Sequence, residues 1–341
     1  MQAPLYAGEL KCCAQYGKSK EPCREWARYV ATDGSKRLLC GVHSRKGKRS
    51  DLPLNPKASE IREAVLAQRI EEAATFAAQR LASHAPRLVT AATFAGMLRE
   101  YSFVPAPGHL PIFPNNKHGH GFGYGFDFSA LSPMKLGPVR HGQPSLPDAQ
   151  SIENYHQFNK VFPNELLIDV VCECARSAEW AHFKAAPVFY AKRLEAYGDP
   201  VPHRHKYASA ELKKANKDYV GKAKVNKPMY SVHETPTGEE RHYTYLESRY
   251  FYCHQMETLI SSTRPAQWSQ LLDLLVRGYA LQIVGYDAYT PRATDPDTLY
   301  EHYLDETRPF GHEMVILTML CVDDTEQRPW NRFRREHAEI Y

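Results

Sequence analysis

The sequence predicts a mainly α-helical or α+β fold with a small sheet, preceded by a small N-terminal zinc module. Three observations support this prediction. Hydrophobic residues make up 43% of the 341 residues, enough for a real core. Patterns typical of helices recur from residue 56 to the end of the chain, whereas strand-like segments such as 280–284 are few. The length suggests two domains, or one large domain with an appendage.

Net charge and targeting signals restrict the class of protein. The 43 basic and 39 acidic residues give +4, which does not by itself require a nucleic-acid partner. No apolar run is long enough for a membrane helix, and the first ten residues lack the basic start of a signal peptide. We therefore expect an intracellular protein, cytoplasmic or nuclear, without a membrane partner.

Four residues near the N-terminus have spacings that suit a zinc ion. Eight cysteines are too few for a disulfide scaffold, so clustered cysteines indicate metal ligands or reactive thiols. The pattern C-x9-C-x16-C-x2-H predicts four ligands for a structural zinc: Cys13, Cys23, Cys40 and His43. Cys12 can replace Cys13, and free thiols with a surface histidine are the alternative. A zinc ion would explain how residues 1–55 fold with so little core.

Two basic stretches are candidates for contact with DNA or RNA. One surrounds the predicted zinc module, where no acidic residue occurs between Asp33 and Asp51. The other is an insertion near 203–228, which we expect to be an exposed loop with some helix. Basic residues on a small module suit contact with a phosphate backbone, but an ordinary solvated surface explains them equally well.

The next segments are predicted in chain order. Asn55 and Pro56 suit the start of a helix that runs to about residue 82, and a shorter helix is expected over about 91–100. Residues 56–105 would thus form a helical connector. Residues 105–142, rich in glycine and proline, are expected to form loops. Two helices are expected over 148–197, the first beginning near Gln150 or Ser151. Later elements are helices over about 245–261, 265–277 and 312–321, with a strand over 280–284.

The first of these helices carries a polar stripe. At 100° per residue, four polar side chains share one arc: Glu153, His156, Gln157 and Lys160. Four apolar side chains lie opposite and are expected to pack: Ile152, Tyr155, Phe158 and Phe162. The alternative is an ordinary amphipathic helix whose polar face meets water.

A family resemblance begins at this helix. The string S-x-E-x-x-x-Q-x-x-K from Ser151, preceded by a segment that begins Phe128-Ser129, resembles motifs of the NADAR family. Segments around 248–259, 271–289 and 310–320 resemble further family motifs in the same order, so the resemblance covers about 106–323. The chain departs from the family pattern at Ala130, at Tyr289 or Thr290, and at His312, which stands where the family has asparagine.

The resemblance implies a domain over 106–341 that cleaves N-glycosidic bonds. Its substrate would be an ADP-ribosylated or otherwise N-glycosylated nucleobase, in nucleic acid or in a nucleotide-like metabolite. The catalytic residues would be Glu153, Lys160 and Asp287. The substrate-binding residues would be Gln157, Phe128, Ser129, Tyr286, Tyr289 and His312. Zinc would be structural, and no organic cofactor is expected.

Two other functions stay open on the sequence alone. One is a module that binds ADP-ribose or a nucleotide without cleaving it, and the other is a zinc-dependent nucleic-acid-binding protein. Other enzyme classes lack their motifs: G-x-x-x-x-G-K-[ST], G-x-S-x-G and H-E-x-x-H are all absent from the sequence. The leading hypothesis is therefore an N-glycosidase of the ADP-ribosyl-glycohydrolase type.

Overall fold

A computed structural model describes much of the chain outside the N-terminal fifty-five residues. The described residues are 29–30, 38–39, 56–93, 105–115, 126–162, 165–166, 184–202, 228–285 and 290–341. Within these ranges, no helix combines the length and the apolar character that crossing a membrane requires.

Helices of very different length account for much of this part of the chain. They are α1 (Pro56–Ala82), α2 (Ile152–Phe158), α3 (Pro187–Gly198), α4 (Tyr245–Thr263), α5 (Ala266–Val276), α6 (Pro296–Leu304), α7 (His312–Cys321) and α8 (Pro329–Glu336). Short 3-10 helices lie at Ser129–Leu131 and Thr325–Gln327. The helices predicted at 56–82, 245–261, 265–277 and 312–321 are confirmed to within two residues at each end.

The strands form a short hairpin and two larger sheets. They are β1 (Tyr29–Val30), β2 (Leu38–Leu39), β3 (Val89–Thr93), β4 (His109–Phe113), β5 (Phe126–Asp127), β6 (Lys160–Val161), β7 (Tyr230–Glu234), β8 (Glu240–Tyr243) and β9 (Ala280–Gly285). One sheet has the order β3-β9-β4-β5 with all pairs parallel, and the other is antiparallel with the order β6-β7-β8. The described chain is therefore α+β, as expected.

Helices cover the parallel sheet. All six residues of β9 are buried, as expected for a central strand of a parallel sheet with both faces covered. Helix α1 contacts β4 and β9, and α7 contacts β3 and β9. The end of α1 approaches the turn before β9 so closely that a Cβ on Gly278 would lie 2.7 Å from Cγ of Leu81. Gly278 also has a φ of +81°. This turn therefore requires glycine for two reasons, the lack of space for a side chain and the backbone conformation.

The helix predicted over about 91–100 is wrong where the structure describes it. Residues 89–93 form β3, which pairs in parallel with β9 from Val89 opposite Leu281 to Thr93 opposite Gly285. The β-branched residues Val89, Thr90 and Thr93 favour a strand, and pairing with a fully buried neighbour stabilises it. Residues 94–100 lie outside the described ranges. The region predicted to be a helical connector therefore supplies a strand to the main sheet.

Candidate functional site

Helix α2 begins beside the segment that follows the last strand of the parallel sheet. Strand β5 leads through the 3-10 helix to Pro133, whose carbonyl accepts a hydrogen bond of 2.9 Å from the N–H of Glu153. Ser151 is the N-cap, in agreement with the helix start predicted near Gln150 or Ser151. Its Oγ accepts a hydrogen bond from the N–H of Asn154 at 3.1 Å. Ligands commonly bind at the carboxyl ends of parallel strands.

The helix is shorter than predicted, because it ends before Lys160. Asn159 follows its last residue, and the Asn159 carbonyl accepts from the N–H of Val232 in β7 at 2.8 Å. The Oδ1 atom of Asn159 accepts from Nε of Arg193 at 2.9 Å and from the hydroxyl of Tyr197 at 2.7 Å. These bonds hold the chain in the antiparallel sheet, so Lys160 begins β6 instead of continuing the polar stripe.

Glu153, Gln157 and Lys160 nevertheless come together as the sequence predicts. The Glu153 side chain is buried, with the residue only 7% exposed, and its Oε1 accepts from Nε2 of Gln157 at 3.1 Å. Nζ of Lys160 lies 3.5 Å from Oε1 of Gln157, at the limit of a hydrogen bond. Because Glu153 is buried, it does not belong to a polar helix face that meets water, which was the alternative interpretation. The Glu153 carboxylate and the Lys160 amine thus both contact the side-chain amide of Gln157 inside the fold.

Burial lowers the pKa of two neighbours. It lowers the pKa of Lys160 to about 8, against an opposing effect of the Glu153 carboxylate. Burial also lowers the pKa of His156 well below its usual value, and the positive charge of Lys160 adds to this effect, followed by His233. At neutral pH Lys160 is therefore mostly protonated and His156 is uncharged.

His156 lies at a narrow crevice between α2, β7 and α4. The crevice is lined by Tyr155, His156, Asn159, Ser231, His233, Ser248, Phe251 and Tyr252. The His156 and Tyr252 rings are 4.5 Å apart between centroids, and Phe251 stacks on His233 at 3.8 Å. Aromatic and uncharged polar side chains therefore flank the end of α2.

Tyr252 connects this helix to the start of α7. Burial, and then the negative charges of Glu153 and Glu313, hold the Tyr252 pKa well above the ordinary value, and the nearby backbone of His312 opposes this shift. Tyr252 thus lies near both carboxylates. The sequence predicted roles for Glu153 and His312 but none for Tyr252 or Glu313.

His312 and Glu313 form a pair at the first turn of α7. Nδ1 of His312 lies 3.2 Å from Oε2 of Glu313, and both side chains are largely buried. A Cβ on Gly311 would lie 2.9 Å from the same carboxylate oxygen, so the absence of a side chain there lets Glu313 fold back over the helix start. Negative charge at a helix N-terminus is stabilised by the helix dipole.

Phe128 and Ser129 are both buried at the end of the parallel sheet. Phe128 belongs to the hydrophobic core, and its N–H donates to the Phe113 carbonyl at 3.3 Å. The Ser129 hydroxyl accepts from Nζ of Lys135 at 2.9 Å. Both residues therefore support the segment that leads to α2, and substrate contact by either stays a prediction.

The other predicted site residues lie outside the described ranges. These are Tyr286, Asp287 and Tyr289, the zinc ligands Cys13, Cys23, Cys40 and His43, the alternative ligand Cys12, and most of the basic loop near 203–228. Strand β9 ends at Gly285, so Tyr286 directly follows the carboxyl end of the central strand. Within the described ranges, no three histidine, cysteine, aspartate or glutamate side chains are placed to share a metal ion.

Comparison with known proteins adds no relative. No protein-family model, curated protein or solved structure matches this chain.

Proposed function

We propose that the protein is a NADAR-type N-glycosidase that removes ADP-ribose or a ribosyl group from a modified nucleobase. One observation carries the proposal: Glu153 is a buried carboxylate that Gln157 holds at 3.1 Å, with Lys160 beyond. The base would belong to a nucleic acid or to a nucleotide-like metabolite. The same residues are central to the family resemblance.

A buried carboxylate suits the chemistry of this bond. As the C1′–N bond breaks, positive charge develops on the ribose, as in the oxocarbenium-like state of glycoside hydrolysis. A fixed negative charge stabilises that state more strongly away from water than in it. The bond from Gln157 limits rotation of the Glu153 side chain, so the carboxylate is oriented before substrate binds. Glu153 would stabilise the developing ribose cation.

Lys160 and Asp287 complete the proposed catalytic set. Lys160 supplies positive charge beside Glu153 at neutral pH, which suits contact with a phosphate of ADP-ribose. Asp287 follows β9 at the position where the resemblance places an acidic residue, and we propose that it binds a ribose hydroxyl. Tyr286 and Tyr289 are proposed to stack on the base or the sugar.

The experiment compares one buried and one exposed glutamate. Purified protein is incubated with guanine-ADP-ribosylated DNA and, separately, with free N-ribosides, and release is followed by mass spectrometry. We expect Glu153→Gln to lower turnover on the order of a hundredfold or more, because the amide carries no charge to stabilise the ribose cation. Glu195→Gln, on the exposed side of α3, is the control and should match the wild type.

Each result leads to a different conclusion. Equal release by the wild type and Glu153→Gln would contradict the site assignment. Binding of ADP-ribose without any release would favour the non-catalytic binding module. Absence of both would leave the zinc-dependent nucleic-acid-binding function, which predicts DNA or RNA affinity that falls steeply with salt.

A further inference from the structure

The start of α7 carries a histidine, His312, whose ring contacts one carboxylate among the described residues. Nδ1 of His312 faces Oε2 of Glu313 at 3.2 Å. Its other ring nitrogen, Nε2, is buried and forms no hydrogen bond with any residue in the described ranges. A carboxylate on one nitrogen fixes the proton there, so the other nitrogen keeps its lone pair. This is the arrangement by which a carboxylate orients a histidine base.

The neighbours of His312 hold it near Glu153. Its backbone lies close enough to the Tyr252 hydroxyl of α4 to affect the pKa of that tyrosine, and Tyr252 lies in the field of Glu153 and packs on His156 of α2. The described titratable groups around Tyr252 include Glu153, Glu313, Cys253 and His156, with Lys160 beyond Gln157. Tyr252 and His156 are uncharged at neutral pH, and the Glu313 side chain is the one that contacts the His312 ring, at 3.2 Å.

We infer that His312, oriented by Glu313, is the general base that activates water in the proposed reaction. This inference rests on the proposed function and assigns different roles to two carboxylates. Glu153 stabilises the ribose cation, while Glu313 acts only through His312 and is a positioning residue. The family resemblance implied only a binding role for His312, which stands where the family has asparagine, a residue that cannot take up a proton.

The step balances without a further reactant. Water gives one proton to Nε2 of His312, and its oxygen bonds to C1′ of the ribose. The C1′–N bond breaks, and its electron pair leaves on the nitrogen of the base. That nitrogen then takes the proton from the imidazolium, which restores neutral His312. The products are the free ribosyl sugar and the unmodified base, and the charge of Glu153 does not change.

The test measures the dependence of rate on pH with the full-length protein. The substrate is guanine-ADP-ribosylated DNA or the N-riboside that the wild type hydrolyses. We expect His312→Asn to lower kcat on the order of a hundredfold while KM stays similar, because a general base typically contributes 10²- to 10⁴-fold. The acidic limb of the rate profile should disappear in the same variant.

Glu313→Gln separates a positioning role from a structural one. Without the carboxylate, the imidazole loses the partner that orients it, so kcat should fall and the acidic limb of the rate profile should move. A residue with a purely structural role would lower activity without moving this limb. The control is His337→Asn, whose ring lies 3.8 Å from Glu339 in an exposed pair of the same kind.

Failure of the inference is distinct from failure of the proposed function. Wild-type hydrolysis that His312→Asn leaves unchanged would overturn the inference alone. An acidic limb that stays in place in Glu313→Gln would also overturn the inference alone. A wild-type protein that hydrolyses none of these substrates would overturn both. If circular dichroism shows that His312→Asn is unfolded, the position of the acidic limb in the rate profile of Glu313→Gln tests the inference instead.

Discussion

Lys160 is an amine that the fold keeps away from water at an energetic cost. Its pKa is lowered to about 8 by burial, from 10.5 for an ordinary lysine. Between these two values the unfolded chain binds the proton more readily than the folded chain. The contribution of Lys160 to the free energy of unfolding therefore rises as pH increases through this window, and it falls as pH decreases toward 8.

Lys160→Met should reveal this cost. The variant keeps most of the apolar stem and removes the charge, so near pH 7 it should be more stable than the wild type if the Gln157 contact is weak. Urea denaturation at several pH values measures the difference between the two proteins, which should shrink from pH 8 to pH 10. Burial raises the pKa of Cys321 to about 11, and this makes stability depend on pH in the direction opposite to the effect of Lys160. Because the wild type and Lys160→Met both contain Cys321, its effect cancels in the difference between them.

Lys184→Met serves as the control for this measurement. Lys184 is exposed, so its replacement should leave the pH dependence of stability as it is in the wild type. A difference between wild type and Lys160→Met that is the same at pH 8 and pH 10 would contradict burial of a charged amine. It would place the Lys160 nitrogen in water.

At the scale of elements, the end of α2 depends on an arginine from α3. Arg193 is 1% exposed and donates to Asn159 at 2.9 Å and to the Val232 carbonyl at 3.1 Å. It also bonds Gln143 and lies 3.6 Å from Glu234. One guanidinium thus fixes α2, α3 and β7 relative to one another. Because Asn159 turns the chain from α2 into β6, this arginine also positions Glu153 and Lys160.

Arg193→Met should destabilise the fold strongly. The methionine fills part of the space but removes one hydrogen-bond donor from Asn159 and one from the Val232 carbonyl, together with the cation that lies 3.6 Å from Glu234. Removal of one partner from a buried ion pair typically costs about 3–5 kcal/mol. Urea denaturation measures the loss against Arg277→Met, whose partner Asp273 is equally exposed, where about 0–1 kcal/mol is expected. Equal losses in the two variants would show that the Arg193 network is not structural.

The helices α1, α4, α5 and α7 were predictable because their signals are local, whereas α6 and α8 were not predicted. Helix α4 begins with a capping box in which Thr244 and Glu247 each bond the backbone of the other, and such a start is fixed within four residues. Strand β4 was not predicted, because its five residues include Pro111 and its stability comes from β9, far along the chain. The end of α2 was misplaced for the same reason, since the bonds to Asn159 come from α3 and β7.

The candidate site was predictable only in part. Glu153 and Gln157 are four residues apart on one helix, so their contact follows from helical geometry. Tyr252 and Glu313 reach the site from α4 and α7, and no pattern in the sequence shows that Tyr252 is buried in the field of both Glu153 and Glu313. Nor does the sequence show that Gly311 makes room for the Glu313 carboxylate. Burial and long-range proximity carry the chemistry here, and both arise from tertiary packing.

At the scale of the whole molecule, residues 1–55 are predicted to depend on a metal. The short strands β1 and β2 pair between Cys23 and Cys40 in the sequence. We expect about one zinc per chain by mass spectrometry of the metal content, and loss of zinc in Cys40→Ser. Of Cys12→Ser and Cys13→Ser, one should lose zinc and the other retain it, because adjacent side chains point in different directions. Wild-type protein purified without zinc would contradict the prediction.

The parallel sheet predicts where the chain can be cut. Strand β3 pairs with β9 along its whole length, and α1 covers β4 and β9. A fragment that begins at residue 106 lacks both elements, so it would expose β9, where Leu281 and Ile283 are completely buried. We expect it to aggregate or to lose cooperative unfolding, since both faces of such a sheet must be covered.

A fragment that begins at residue 56 is the matched control, because it keeps α1 and β3. It should unfold cooperatively, at a temperature close to that of the full chain, in a thermal melt followed by circular dichroism. Cooperative unfolding of the 106–341 fragment at the same temperature would contradict the role of α1 and β3, and would make 106–341 a self-sufficient domain. The expected result instead places the start of the folded unit at α1, fifty residues before the region that the family resemblance covers.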